Sequence, residues 1–132
     1  MRRGVRWISM GWLLGLVACA APGPAQRMAA RLQQFEAVAG APVESFHFWQ
    51  LDRWEPLGER HVAVWTRVNE AYLIEVREPC SGLDFARSIA LTSTQNRVQR
   101  RFDSVLFEHQ RCRIESIRPV DGREFKRLAR AG

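Results

Sequence analysis

Arg2, Arg3 and Arg6 precede an apolar run from Trp7 to Ala18, and the run ends at Cys19. No other feature restricts the folding part of this chain as much. The layout is that of a secretory signal peptide. The run is shorter than the ~20 apolar residues that span a bilayer, and Pro22-Gly23-Pro24 soon follows it. Residues 1–18 are therefore read as a removable leader. What remains is the length of one small domain, expected to fold in an oxidising compartment.

Leu16-Val17-Ala18-Cys19 resembles the bacterial lipobox. That resemblance implies cleavage before Cys19 and attachment of diacylglycerol to its thiol. Stable anchoring takes two acyl chains or more, which such a cysteine supplies. Ala18-Cys19-Ala20 also fits the small-residue site of ordinary signal peptidase, so a soluble periplasmic product is the alternative. Arg2-Arg3 has the look of a twin-arginine signal, but Gly4-Val5-Arg6 continues it poorly. Ala20, where retained lipoproteins carry Asp, resembles Gram-negative lipoproteins sent on to the outer membrane. The expected address is thus lipid-anchored, on the periplasmic side of the outer membrane.

The formal net charge of +6 falls to about +3 once Arg2, Arg3 and Arg6 are removed. Basic excess ordinarily points to nucleic acid, but an exported chain meets none. Anionic lipid headgroups and lipopolysaccharide phosphates are the polyanions available there, and simple solubility is the plainer explanation. With Cys19 committed to lipid, Cys80 and Cys112 are expected to form one disulfide. No C-x-x-C spacing exists, and neither cysteine has a histidine at ligand spacing. Trp49, Trp54, Trp65, Phe46, Phe48, Phe85, Phe102 and Phe107 are the expected bulk of the core.

Residues 19–27 read as the lipidated cysteine and a flexible spacer. Residues 28–40 read as a helix, with Met28, Leu32, Phe35 and Val38 at helical spacing and Gly40 and Pro42 as the stop. Residues 41–132 then form a single α+β domain. Phe46–Leu51 alternates as a strand, and Asp52–Glu59 reads as a loop. His61–Arg67 and Ala71–Arg77 are the clearest strands, joined at Val68-Asn69-Glu70 as a hairpin. Ser81–Asp84 resembles a capping box, predicting a helix to Ala90 with Leu83, Ala86, Ile89 and Ala90 inward. Val98–Phe107 reads as one strand, and Cys112–Ser116 as the last, with a bulge or end at Ile117 and closure at Pro119. Asp121–Glu124 predicts a second capping box, opening a helix with Phe125, Leu128 and Ala129 as its apolar stripe. The sum is α+β: a mainly antiparallel sheet or partial β-barrel with short helices and one disulfide.

Four stretches carry a family resemblance: Ala71–Ile74, Pro79–Ala86, Arg101–Val105 and Cys112–Asp121. Over about residues 43–128 the chain resembles an uncharacterised group of small Gram-negative lipoproteins, domain of unknown function 6491. The resemblance implies periplasmic exposure and a shared fold, and it supplies no reaction.

Candidate chemistry is sparse. His47, His61 and His109 form no H-E-x-x-H or other tight ligand spacing, so no metal or other cofactor is expected. Asp84 and Asp103 are better explained by a helix start and an ion pair with Arg101 than by acid–base work. Ser81 lacks a nucleophile elbow. No catalytic residue is assigned, and an enzyme is not expected. The one suggestive cluster is arginine: Arg97, Arg100, Arg101 and Arg113 are the candidate anion-binding residues, with Arg111 and Arg118 nearby. Guanidinium forks match phosphate and carboxylate geometry; a solvated strand face laced with Glu108 and Glu115 is the plainer alternative. Arg123, Lys126, Arg127 and Arg130 offer a second basic surface. The expectation is a non-enzymatic envelope adaptor contacting another envelope protein, anionic lipid or lipopolysaccharide. The alternative is a small-ligand-binding or inhibitor module of the periplasm.

Overall fold

A computed structural model describes residues 21–131, together with Gly4, Gly11 and Gly15. Cys19 and the rest of residues 1–20, which include the predicted leader, lie outside the described residues. The helix α1 spans Pro24–Val38, so it starts inside the predicted spacer. Pro24 takes the first helical position, where its missing N–H costs nothing. Strands follow at Ser45–His47 (β1), Arg53–Pro56 (β2), His61–Arg67 (β3), Glu70–Val76 (β4), Ala90–Leu91 (β5), Arg97–Gln99 (β6), Ser104–Phe107 (β7) and Gln110–Asp121 (β8). Helix α2 closes the described chain at Gly122–Ala131.

The main sheet runs β2-β3-β4-β8-β7-β5, antiparallel throughout, and curls into a half-barrel. β1 and β6 form a separate two-stranded ribbon. The predicted α+β class and mainly antiparallel sheet are what the chain adopts. Both faces of the central strands are covered. Val62, Val64, Ile74 and Val76 meet the ribbon residues Phe46 and Val98 on one side. Ala63, Trp65, Ala71 and Leu73 meet Phe35 of α1 and Phe125 of α2 on the other. Two covered faces explain why β3 and β4 read as almost unbroken apolar runs. Phe35 stacks on Phe125 with ring centroids 4.0 Å apart, and Trp65 meets both edge-on.

Cys80 and Cys112 are bonded, joining the loop after β4 to β8 across a sequence separation of 32. Asp121 caps α2 as predicted, accepting from the N–H groups of Arg123 and Glu124.

Several expectations fail for identifiable reasons. The helix predicted from Ser81 to Ala90 is a single 3-10 turn at Leu83–Phe85, with Gly82 left-handed at φ +88° and no side-chain cap. Tertiary pairing overrides the local pattern: Ala90 and Leu91 pair instead with Leu106 and Val105, which takes the end of the predicted helix into the sheet. The predicted strand Val98–Phe107 breaks into β6 and β7, which lie in different sheets. Part of the predicted loop, Arg53–Pro56, pairs with β3. β8 does not stop at Pro119. At that point one side of the strand has no neighbouring strand, so the missing N–H forfeits no ladder bond, while the Pro119 carbonyl accepts from the Gly40 N–H. The bulge falls opposite Glu75 and Val76, between Ser116 and Ile114. Finally, three of the expected core aromatics face water: Trp49, Phe85 and Phe102 are 86, 81 and 78% exposed.

Candidate anion-binding site

The break between β6 and β7 builds a strongly basic cleft. Asp103, predicted as a rim partner of Arg101, is instead 6% exposed. One carboxylate oxygen accepts from the Gln99 N–H at 2.6 Å and the other from the Thr92 hydroxyl at 2.7 Å. The Asp103 N–H returns to the Gln99 carbonyl at 2.9 Å, and its own carbonyl accepts from Ile114 on β8. This carboxylate therefore fixes the turn Gln99–Asp103 and presents Arg100, Arg101 and Phe102 at its tip. A buried carboxylate with both oxygens bonded is a rigid support.

Arg77 and Arg113 approach from the sheet. The Arg77 N–H donates to the Arg113 carbonyl at 2.8 Å, extending the β4–β8 ladder by one residue. Arg113 pairs with Ser104, directly after the turn. The four guanidinium side chains of Arg77, Arg100, Arg101 and Arg113 line a cleft of about 310 Å³, with Glu115 as its one carboxylate. Glu115 is engaged by Arg77. Arg100 Nε is buried without a hydrogen bond, the Glu44 carboxylate standing 3.5 Å away. Among the described residues, Arg101 and Arg113 have no carboxylate within ion-pair distance. A second cleft of about 230 Å³ shares Arg100 and Arg101 and is bounded by Phe102 and Arg97. Cations held close together with too few counter-charges attract an anion, and guanidinium forks favour phosphate or carboxylate oxygens.

Of the predicted cluster, then, Arg100, Arg101 and Arg113 come together. Arg97 belongs to the neighbouring cleft only, where its Nε donates to His47 at 3.2 Å. Arg118 is a structural clamp, donating to the carbonyls of Ala39 and Gly40 just after α1. Arg77 was missed. The signal for it was the alternation Leu73-Glu75-Arg77, which puts it on the helix-covered side of β4, beyond where the helices reach. The predicted lipidation residue, Cys19, lies outside the described residues.

The other candidates lie outside this cleft. Arg123, Lys126, Arg127 and Arg130 do line a cleft of about 350 Å³. Lys126, however, donates to Val68 and Asn69, and Arg127 to Glu124. The hydrogen bond from Arg127 lowers the Glu124 pKa and raises that of Arg127. Asp84 does not cap a helix; its Oδ1 is buried without a hydrogen bond. His61 stands at the start of β3, and burial pushes its pKa below 6.5 against the opposing pull of Glu75. Among the described residues no three His, Cys, Asp or Glu side chains gather as a metal site would require. A wider groove, about 590 Å³ along β4 and β8, sets Arg123 beside the carboxylates of Glu70 and Asp121. Within it the Tyr72 hydroxyl is bonded to Glu70.

A family model described as a family of unknown function, DUF6491, matches residues 2–132. The chain belongs to that family. The match extends beyond residues 43–128, where the sequence resemblance lies, to take in the basic and apolar N-terminal stretch. No curated protein and no solved structure matches the chain. Among the described residues no helix is long and apolar enough to cross a membrane.

Proposed function

We propose that this chain is a lipid-anchored, periplasm-facing envelope protein that works as a non-enzymatic interaction module, with the arginine cleft as its working surface. The observation that carries this reading is the convergence of Arg77, Arg100, Arg101 and Arg113 around one carboxylate that is already paired. The leader and Cys19 support the address. The bonded, buried Asp103 supports a rigid surface made for recognition, since a fixed fork loses less freedom on meeting its anion.

Inorganic pyrophosphate is a suitable probe. Calorimetric titration into the purified protein in neutral detergent should show saturable binding that weakens as salt is raised. Reversing two of the charges, Arg101→Glu with Arg113→Glu, should weaken it at least roughly tenfold. Equal affinity in parent and variant would discard the cleft as the working surface.

A further inference from the structure

We infer that the anion taken by this cleft is the phosphate of the bilayer surface itself, so that the domain lies against anionic lipid with Phe102 set into the interface. This rests on the anion-binding reading above and gives it a ligand class. Three observations converge. Phe102 is largely exposed and borders the cleft that shares Arg100 and Arg101. An aromatic ring beside guanidinium groups suits the boundary between acyl chains and headgroups, where apolar contact and attraction to anionic lipid act together.

The ring is also held out. Residue 102 stands at the tip of the turn fixed by Asp103, and its N–H bonds back to the Gln99 carbonyl. It therefore cannot fold onto the core to escape water without breaking that support.

The third observation is the side of the sheet on which the chain begins. Leu73 touches the helical core, and by strand alternation Glu75 and Arg77 share its face. α1 lies on that same face, and its first turn stands against Glu55 and Pro56 of β2. Five residue steps separate Cys19 from Pro24, a reach of at most about 18 Å. A short tether entering on the cleft side favours contact between this side and the membrane that holds it.

The test uses the chain from residue 20 onward, whose described part contains both cores and the disulfide, so that no acyl group binds on its own. Co-flotation should recover it with vesicles of phosphatidylcholine mixed with phosphatidylglycerol, and not with phosphatidylcholine alone. Phe102→Ser should lower recovery roughly tenfold while leaving pyrophosphate affinity unchanged. Val68→Ser is the control: Val68 is exposed too, but it lies past the other end of β4, about 20 Å from Arg77, and its removal should change nothing. Normal pyrophosphate binding without binding to the mixed vesicles would overturn the lipid inference and leave the anion cleft standing. So would a Phe102→Ser protein that floats like the parent. Binding to neither probe would overturn both readings.

Discussion

Replacing Gly122 by alanine should destabilise this protein, although the same change in a helix usually helps. Glycine in a helix costs roughly 0.5–1 kcal/mol relative to alanine, and Gly122 is the first residue of α2. Local propensity alone therefore favours the substitution by at most about 1 kcal/mol. The surroundings oppose it. A Cβ at this position would stand 2.6 Å from Trp65 Cζ3, 2.7 Å from the Asn69 carbonyl carbon and 2.8 Å from Asn69 Cα. Two of those atoms are backbone and the third belongs to the largest fully buried side chain, so nothing nearby can rotate away. Overpacking of this kind costs ~1–3 kcal/mol. Relief requires α2 to move off the β3–β4 turn, which stretches the 3.0 Å bond from the Gly122 N–H to the Asn69 carbonyl. Losing that bond adds about 1 kcal/mol. The net expectation is a loss of about 1–3 kcal/mol, which lowers Tm by about 4–13 °C in a domain of this size. Gly40→Ala provides the contrast. Its Cβ would meet Pro119 Cγ at 3.4 Å, an ordinary contact, so reduced freedom of the unfolded chain should leave stability unchanged or raise it by up to ~1 kcal/mol. Urea melts of the two variants beside the parent decide the matter. A Gly122→Ala protein as stable as the parent would refute the packing argument.

Two further outcomes can be measured on the same material. The Cys80→Ala, Cys112→Ala double variant opens a loop of sequence separation 32 and should lose roughly 3–4 kcal/mol by chain entropy, read as a lower urea midpoint; an unchanged midpoint contradicts it. Tyr72 is the one tyrosine in the chain, and burial, with help from the Glu70 carboxylate that accepts its hydroxyl proton, raises its pKa from 10.0 to about 12. The folded chain thus keeps a proton that the unfolded chain releases, so stability present below pH 10 is lost as pH rises toward 12. Tyrosinate absorbance should appear near pH 12 in the native protein and near pH 10 in denaturant, and Glu70→Gln should shift the native value part of the way down. Native ionisation at pH 10 would contradict this account.

Legibility followed the range of the interactions involved. The β3–β4 hairpin was readable because Val62, Val64, Ile74 and Val76 repeat with the pleat of a strand and Asn69 marks the turn between them. The cap on α2 was readable because Asp121 and the N–H groups it accepts from are two and three residues apart. Arg100, Arg101 and Arg113 were recognisable as a group by charge. Arg77 was hidden because its neighbour is Arg113, reached only through β4–β8 pairing. The role of Asp103 was hidden for a similar reason. The alternation through Val98–Phe107 looks like one strand, and only the partner hydroxyl of Thr92 and the Gln99 N–H turn that stretch into a bend. Arg118 reads by charge as part of an electrostatic cluster, but it donates to the carbonyls of Ala39 and Gly40.

By itself, the amino-acid order determined the class of the fold, the two clearest strands and the capped terminal helix, and, with Cys19 set aside as the expected lipid site, the pairing of Cys80 with Cys112. The strands and the cap depend on near neighbours along the chain. Tertiary structure alone decided which aromatic rings face water, where the long strand breaks and which arginines share a cleft. Those outcomes depend on what lies opposite a residue in space, and a one-dimensional pattern does not record the facing surface. Phe46 and Phe102 are the same side chain in similar alternating runs. One stacks on Tyr72 at 4.2 Å, and the other meets solvent because a buried carboxylate turns the chain outward.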